Sequence, residues 1–138
     1  MTIKQISVFL ENSLGRLAEV TAVIGESGVN LRAASVADTA DFGILRLVVD
    51  NPDRAISVLE AAGFTAKVTE VFGVELDDSP GGLARVMQIF DENGVNIEYL
   101  YTSLEHKSEK VVIIFRVEDT KHCAGIIKKQ GLKTVDCF

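Results

Sequence analysis

Polar and apolar residues alternate from Gln5 to Leu10, which places Ile6, Val8 and Leu10 on one face of an extended strand. The period then changes, with Leu14, Leu17, Ala18, Thr21 and Ile24 recurring at helical spacing until Gly28 stops the helix. Val29 to Ala37 and Phe42 to Asp50 are two further extended runs joined by a turn, the second carrying Leu45, Leu47 and Val49 on one face. Asn51-Pro52 supplies a cap and a proline at the first helical position. Ala55, Val58, Leu59 and Ala62 form a second apolar stripe that ends at Gly63, and Thr65 to Glu70 is a closing strand. The predicted order is βαββαβ.

The chain then contains itself again. VFLENSLGRLAEVTAVIGESGVNL at residues 8–31 aligns without a gap to VELDDSPGGLARVMQIFDENGVNI at 74–97, with 11 identities in 24 positions at a constant offset of 66. Val49 then matches Val117 and Gly63 matches Gly131, so the offset has grown to 68. The two extra residues belong in the hairpin loop, where Ala37-Asp38-Thr39-Ala40-Asp41 gives way to the polar stretch around Glu105-His106-Lys107-Ser108-Glu109. The second copy predicts strand Phe72 to Asp77, helix Gly81 to Asn93, strands Val95 to Ser103 and Val111 to Val117, helix Thr120 to Gln130 and strand Lys133 to Cys137. Two copies indicate paired small domains, residues 1–70 and 71–138, rather than a solenoid. Two amphipathic helices can cover one face of a four-stranded antiparallel sheet, so the class is α+β with two ferredoxin-like domains. Domains this small are marginal alone and are expected to support each other or a second chain.

Composition narrows the partners. Among 138 residues, 14 Lys and Arg stand against 20 Asp and Glu, a net charge of −6 that repels a phosphate backbone. The segment Asp41-Phe42-Gly43-Ile44-Leu45-Arg46-Leu47 matches an RNA-binding strand motif only at Phe42-Gly43, so no nucleic-acid partner is expected. No apolar run approaches the roughly 20 residues of a membrane span. Met1-Thr2-Ile3-Lys4-Gln5 lacks the apolar stretch of a signal peptide, so a cytoplasmic location is expected. Cys123 and Cys137 read as reduced thiols, Cys123 on the apolar face of the last helix with Ile126 and Ile127. His106 and His122 have no ligand cluster around them, and neither a metal nor a cofactor is expected.

The first turn of each copy is the strongest local signal: Glu11-Asn12-Ser13-Leu14-Gly15-Arg16-Leu17, and Asp77-Asp78-Ser79-Pro80-Gly81-Gly82-Leu83. Each joins a strand to a helix N-terminus, where free N–H groups and the helix dipole favour a carboxylate and glycine permits close approach. A second reading is that Asn12, Ser13, Asp78 and Ser79 cap the helices while Gly15 and Gly81 merely permit the turn. A second signal is Gly28-Val29-Asn30-Leu31 and Gly94-Val95-Asn96-Ile97, where an asparagine heads the next strand. Its amide can bond both an ammonium and a carboxylate, or it can satisfy the helix end.

In this order the two signals resemble the ACT domain, a small regulatory module that binds amino acids. Asp78, Pro80, Gly81, Leu83, Gly94, Val95, Asn96 and Ile97 carry the pattern in the second copy, whereas the first has Asn12 for the aspartate and Leu14 for the proline. In that family, domains pair through the second strand and the ligand sits between one domain's first loop and its neighbour's second strand. The resemblance implies carboxylate donors at the backbones of Leu14, Gly15, Gly81 and Gly82, with Asn12 or Asp78 nearby. It implies that Asn30 and Asn96, with the backbones of Leu31 and Ile97, hold the amino group. Pro80 has no N–H to donate.

No catalytic constellation is visible, so the chain is not expected to be an enzyme. With both copies counted, the resemblance implies a free-standing sensor whose partner is a free amino acid and which acts on a separate polypeptide. The alternative is a small regulatory subunit of another enzyme, without a ligand of its own. On the third strands, Ile44, Arg46 and Val48, and Val112, Ile114 and Arg116, lie on the face away from the helices. Four of these six are aliphatic, which suggests cover by another subunit, as in a homodimer. Tyr99 and Tyr101 either line a ligand seam or pack in a core.

Overall fold

Alternation at Ile6, Val8 and Leu10 becomes strand β1 (Thr2–Glu11) in the computed structural model of the chain, which describes residues 1–38, 41–103 and 110–136. There follow helix α1 (Arg16–Glu26), strands β2 (Leu31–Asp38) and β3 (Phe42–Val49), helix α2 (Pro52–Ala61) and strand β4 (Thr65–Asp77). Helix α3 (Gly82–Glu92), strands β5 (Ile97–Thr102) and β6 (Lys110–Val117), and helix α4 (Thr120–Lys129) complete the order. The fold is the ferredoxin-like α+β arrangement in tandem, with antiparallel pairing.

Two expected strands, Thr65 to Glu70 and Phe72 to Asp77, are one 13-residue strand, β4. Val71 between them is fully buried and no turn residue interrupts the run. The last strand, expected over Lys133 to Cys137, is reduced to one antiparallel bridge between Val74 and Thr134. Backbone bonds from Glu75 N to Lys133 O and from Val135 N to Gly73 O flank it, each 2.9 Å. Cys137 lies outside the described residues, as do Thr39, Ala40 and residues 104–109, among them His106.

Two compact units divide the chain, one of Lys4–Thr69 and the other of Met1–Ile3 with the residues from Glu70 onward. In the first unit the strand order is β2-β3-β1-β4, and the β1–β3 register sets Ile6 against Leu47 and Val8 against Leu45. These side chains, with Leu10 and Val49, meet Val20 and Ile24 of α1 and Ala55 and Leu59 of α2 in one buried cluster. Each large aliphatic residue so buried contributes about 1.5–3 kcal/mol. The core-facing residues of α1 are therefore Val20 and Ile24, with Val23, and not the expected Leu14, Ala18 and Thr21, which are exposed. Helix α1 starts only at Arg16, so Leu14 belongs to the loop and the helical phase is set after it. Asn51 caps α2 as expected, accepting from Arg54 N at 3.2 Å, with Pro52 in the first turn.

In the second unit β6 lies between β4 and β5, with Phe72 opposite Phe115 and Leu100 opposite Phe115 on its other edge. Phe115 stacks on Phe72 at 5.7 Å and meets Phe90 of α3 at 5.2 Å, an aromatic centre around which Val86, Cys123 and Ile127 close. Such pairs add about 0.5–1.5 kcal/mol beyond area burial. Asp119 caps α4 by accepting from His122 N. The chain start is tied in by the Met1 amino group to Asp136 at 3.3 Å and by Thr2 Oγ1 donating to Glu70 at 3.3 Å.

On the faces away from the helices, Val48 and Ile114 are buried within the single chain, whereas Ile44, Arg46, Val112 and Arg116 are half-buried.

Candidate functional site

Strand β1 ends at Glu11, and the chain must turn sharply to begin α1. Gly15 makes that turn with φ 88°, and Gly81 makes the corresponding turn before α3 with φ 83°. This left-handed backbone costs a non-glycine residue roughly 1–2 kcal/mol. Both glycines are the N-caps, and neither helix receives a capping bond from a side chain. Asn12, Ser13, Asp78 and Ser79 are thus not the helix caps that one reading of the sequence made them. Their backbones close the turns instead, Ser13 O accepting from Arg16 N at 3.4 Å and Ser79 O from Gly82 N at 2.9 Å. Each turn delivers the chain to the positive end of a helix dipole.

Beside the first of these turns is an open cavity of about 150 Å³. Leu10, Leu17, Val36 and Gly43 form its apolar side, and Glu11, Asn12, Ser13 and Arg16 its polar end. Arg16 is held from two directions: Nη1 donates to Glu19 at 2.8 Å, and the guanidinium lies 4.9 Å from the centre of the Phe64 ring. Its Nε is buried with no hydrogen-bond partner. Leu14 and Gly15 are exposed on the loop and do not line the cavity, and Leu17 is 47% exposed at its edge.

The second turn is built differently. Asp77 pairs with Lys110 and, at 3.8 Å, with Arg85. The Lys110 hydrogen bond and charge hold the Asp77 carboxyl below the usual carboxylate range, with a smaller push from Arg85. Gly82 is buried, and a Cβ there would strike the Asp77 carbonyl oxygen. Asp78 and Gly81 are exposed.

The asparagines lie elsewhere. Asn30 precedes β2, its N–H bonded to Asp50 Oδ1 at 3.0 Å and its carbonyl accepting from Asp50 N at 3.1 Å. Those bonds tie it to the end of β3 rather than to the end of α1. Leu31, half-buried, packs against the first core. Strand β2 separates Asn30 from Asn12 by about eight residues, or ~25 Å, so one unit's own loop and asparagine are not brought together. In the second unit Asn96 lines a cavity of about 170 Å³ with Gly94, Val95, Glu118, Asp119 and His122. His122 Nε2 is 2.8 Å from Asn93 O, at the end of α3. Ile97 is half-buried at the start of β5.

The model of the ACT domain pair family matches residues 1–137. The chain belongs to this family. This ACT pair is similar to the protein BT0572 of Bacteroides thetaiotaomicron, whose crystal structure superposes with a TM-score of 0.91. The two are 36% identical over 98% of this chain and 92% of that one. The regulatory subunit of aspartate kinase from Thermus thermophilus, in its ligand-free form, shares the fold at a TM-score of 0.64 and 16% identity, over 91% of this chain and 90% of that one. The corresponding subunit from Thermus flavus does so at 0.61 and 18%, with the same shares of each chain covered. No curated protein matches.

Sequence reasoning about the ACT loops missed Glu11, Arg16, Leu17 and Val36 as cavity residues, and His122, Glu118 and Asp119 beside Asn96. One signal was available: Arg16 stands where the second copy has Gly82, in an otherwise matched segment. Among the described residues, no helix is long and apolar enough to cross a membrane, and no group of three or more His, Cys, Asp or Glu is placed to hold a metal ion.

Proposed function

We propose that this ACT pair is a non-catalytic sensor of free amino acids, and that it passes ligand occupancy to a separate protein. One observation carries the reading. In an ACT pair, both loop glycines are left-handed helix N-caps, and the first turn opens beside a cavity with a polar end. A carboxylate suits the positive end of a helix dipole. Asn30 and Asn96 remain the candidates for the ammonium group, from a neighbouring domain. That the Thermus relatives are named regulatory subunits supports action on a partner in trans. Coupling requires that the ligand bind two domain arrangements with different affinity.

The test is the melting temperature of the purified protein against each of the twenty common amino acids at millimolar concentration. A ligand at about 100 times its Kd adds roughly 2.7 kcal/mol, a shift of several degrees. A selective shift supports the sensor. A flat panel overturns it in favour of a regulatory subunit without a ligand.

A further inference from the structure

We propose that the turns carrying Asn30 and Asn96 differ in rigidity, the first locked and the second adaptable, and that His122 is the latch of the second. The last carbonyls of a helix have no partner within it and take donors from neighbouring elements. In both repeats the donor comes from the same position of the next helix. Arg54 Nε, on α2, donates to Ser27 O at 2.7 Å. His122 Nε2, on α4, is 2.8 Å from Asn93 O, which can only accept, so Nε2 carries the hydrogen. Ser27 and Asn93 are the C-caps of α1 and α3, and each leads within three residues to its asparagine.

The first turn is fastened again beyond the Arg54 bond. Asp50, just after β3, accepts the Asn30 N–H on Oδ1 at 3.0 Å and returns its own N–H to Asn30 O at 3.1 Å. Three hydrogen bonds therefore cross from this turn to the segment that starts α2.

In the second repeat Glu118 stands in place of Asp50 and His122 in place of Arg54, one side chain longer and the other shorter. Among the described residues, Asn96 and Glu118 make no bond of the kind that joins Asn30 and Asp50. The cavity of about 170 Å³ opens between them instead, lined by Asn96 from the turn and by Glu118 and His122 from the segment facing it. The Gly94 and Val95 N–H groups bond back to Asp91 O and Phe90 O of α3 itself, at 3.2 and 2.9 Å. Among the described residues, the bond from His122 is then the one that crosses to α4. A turn with one crossing bond opens locally more often than a turn with three. His122 is thus a positioning residue for Asn96, and any movement of that turn reaches α4 through it.

Amide hydrogen exchange, followed by NMR on the full chain, tests this. After correction for intrinsic rates, the Asn30 N–H is expected to exchange at least about tenfold more slowly than that of Asn96. His122→Ala should speed exchange at Gly94 and Val95 about fivefold to tenfold, the weight of one hydrogen bond, and leave Phe115 and Ile127 in the core unchanged. Arg54→Ala should move Asn30 by less than about twofold, because both bonds to Asp50 remain. His122→Arg installs the residue that the first repeat uses and should return Gly94 and Val95 towards the parent rates. The His122 side chain is exposed and its backbone N–H still bonds to Asp119, so the start of α4 survives substitution. Unchanged exchange at Gly94 and Val95 in His122→Ala, or an equal loosening of Asn30 in Arg54→Ala, overturns the proposal. So does a rise spread evenly over α3, α4 and β6, which would mark His122 as a general stabiliser. No ligand enters the measurement, so a flat amino-acid panel removes the sensor reading and leaves the latch standing.

Discussion

The carbonyl oxygen of Asp77 lies where a side chain on Gly82 would have to begin. On helix propensity alone, alanine at this position would gain about 1 kcal/mol over glycine. The clash is with backbone, which cannot swing aside, so the sign reverses. Gly82→Ala is expected to destabilise the protein by about 1–3 kcal/mol. Thermal or urea denaturation reads this directly, and a variant more stable than the parent would contradict the close approach.

Asp77 also sets a pH dependence. Its folded-state carboxyl titrates below the unfolded value, because Lys110 hydrogen-bonds and pairs with the anion. The unfolded chain then binds more protons in the acid range, so the contribution is complete above the unfolded value of about 3.9 and is lost as pH falls through the folded value. The group is exposed, so the effect is small and screened by salt. Comparing melting temperatures of the parent and Asp77→Asn at pH 7 and pH 3 should show a gap that closes in acid. A gap that widens in acid has the wrong sign.

Cys123 should be chemically silent while the protein is folded. It is fully buried beside Ile127 of the same helix, and burial pushes its thiol up to about 11, with Asp119 adding to the shift. Only the thiolate is nucleophilic, so at pH 8 iodoacetamide should modify Cys123 far more slowly in the folded chain than in denaturant. The experiment uses Cys137→Ser so that one thiol reports. Since the folded value is raised, stability from this group falls as pH rises from about 8.5, the ordinary thiol value, through 11.

Helix capping separates two polar residues that look alike in sequence. Asn51 accepts from Arg54 N at the start of α2, so Asn51→Ala should cost about 1 kcal/mol. Ser79 contributes its backbone to the turn before α3 but caps nothing, so Ser79→Ala should stay within about 0.5 kcal/mol. Equal losses in the two variants, measured by denaturant melts, would return Ser79 to the role of a cap.

The internal repeat, the βαββαβ order and the core strands were legible without coordinates, because each depends on residues near one another in the chain. Ile6, Val8 and Leu10, and Leu45, Leu47 and Val49, announce a buried face through a period of two, and they all lie in the first core. The Asn51-Pro52 start of α2 was equally local. Tertiary structure decided what involved two distant segments. Whether Val71 ends one strand and begins another depended on its neighbours in the sheet. Which residues of α1 face the core depended on where Gly15 released the chain into the helix, and that left Leu14 and Leu17 outside. Arg16 was visible as a letter in a loop. Its standing over Phe64, 48 residues away in sequence, beside Glu11 and Val36 is a fact of packing, and packing of residues remote in the chain has no periodicity to announce it.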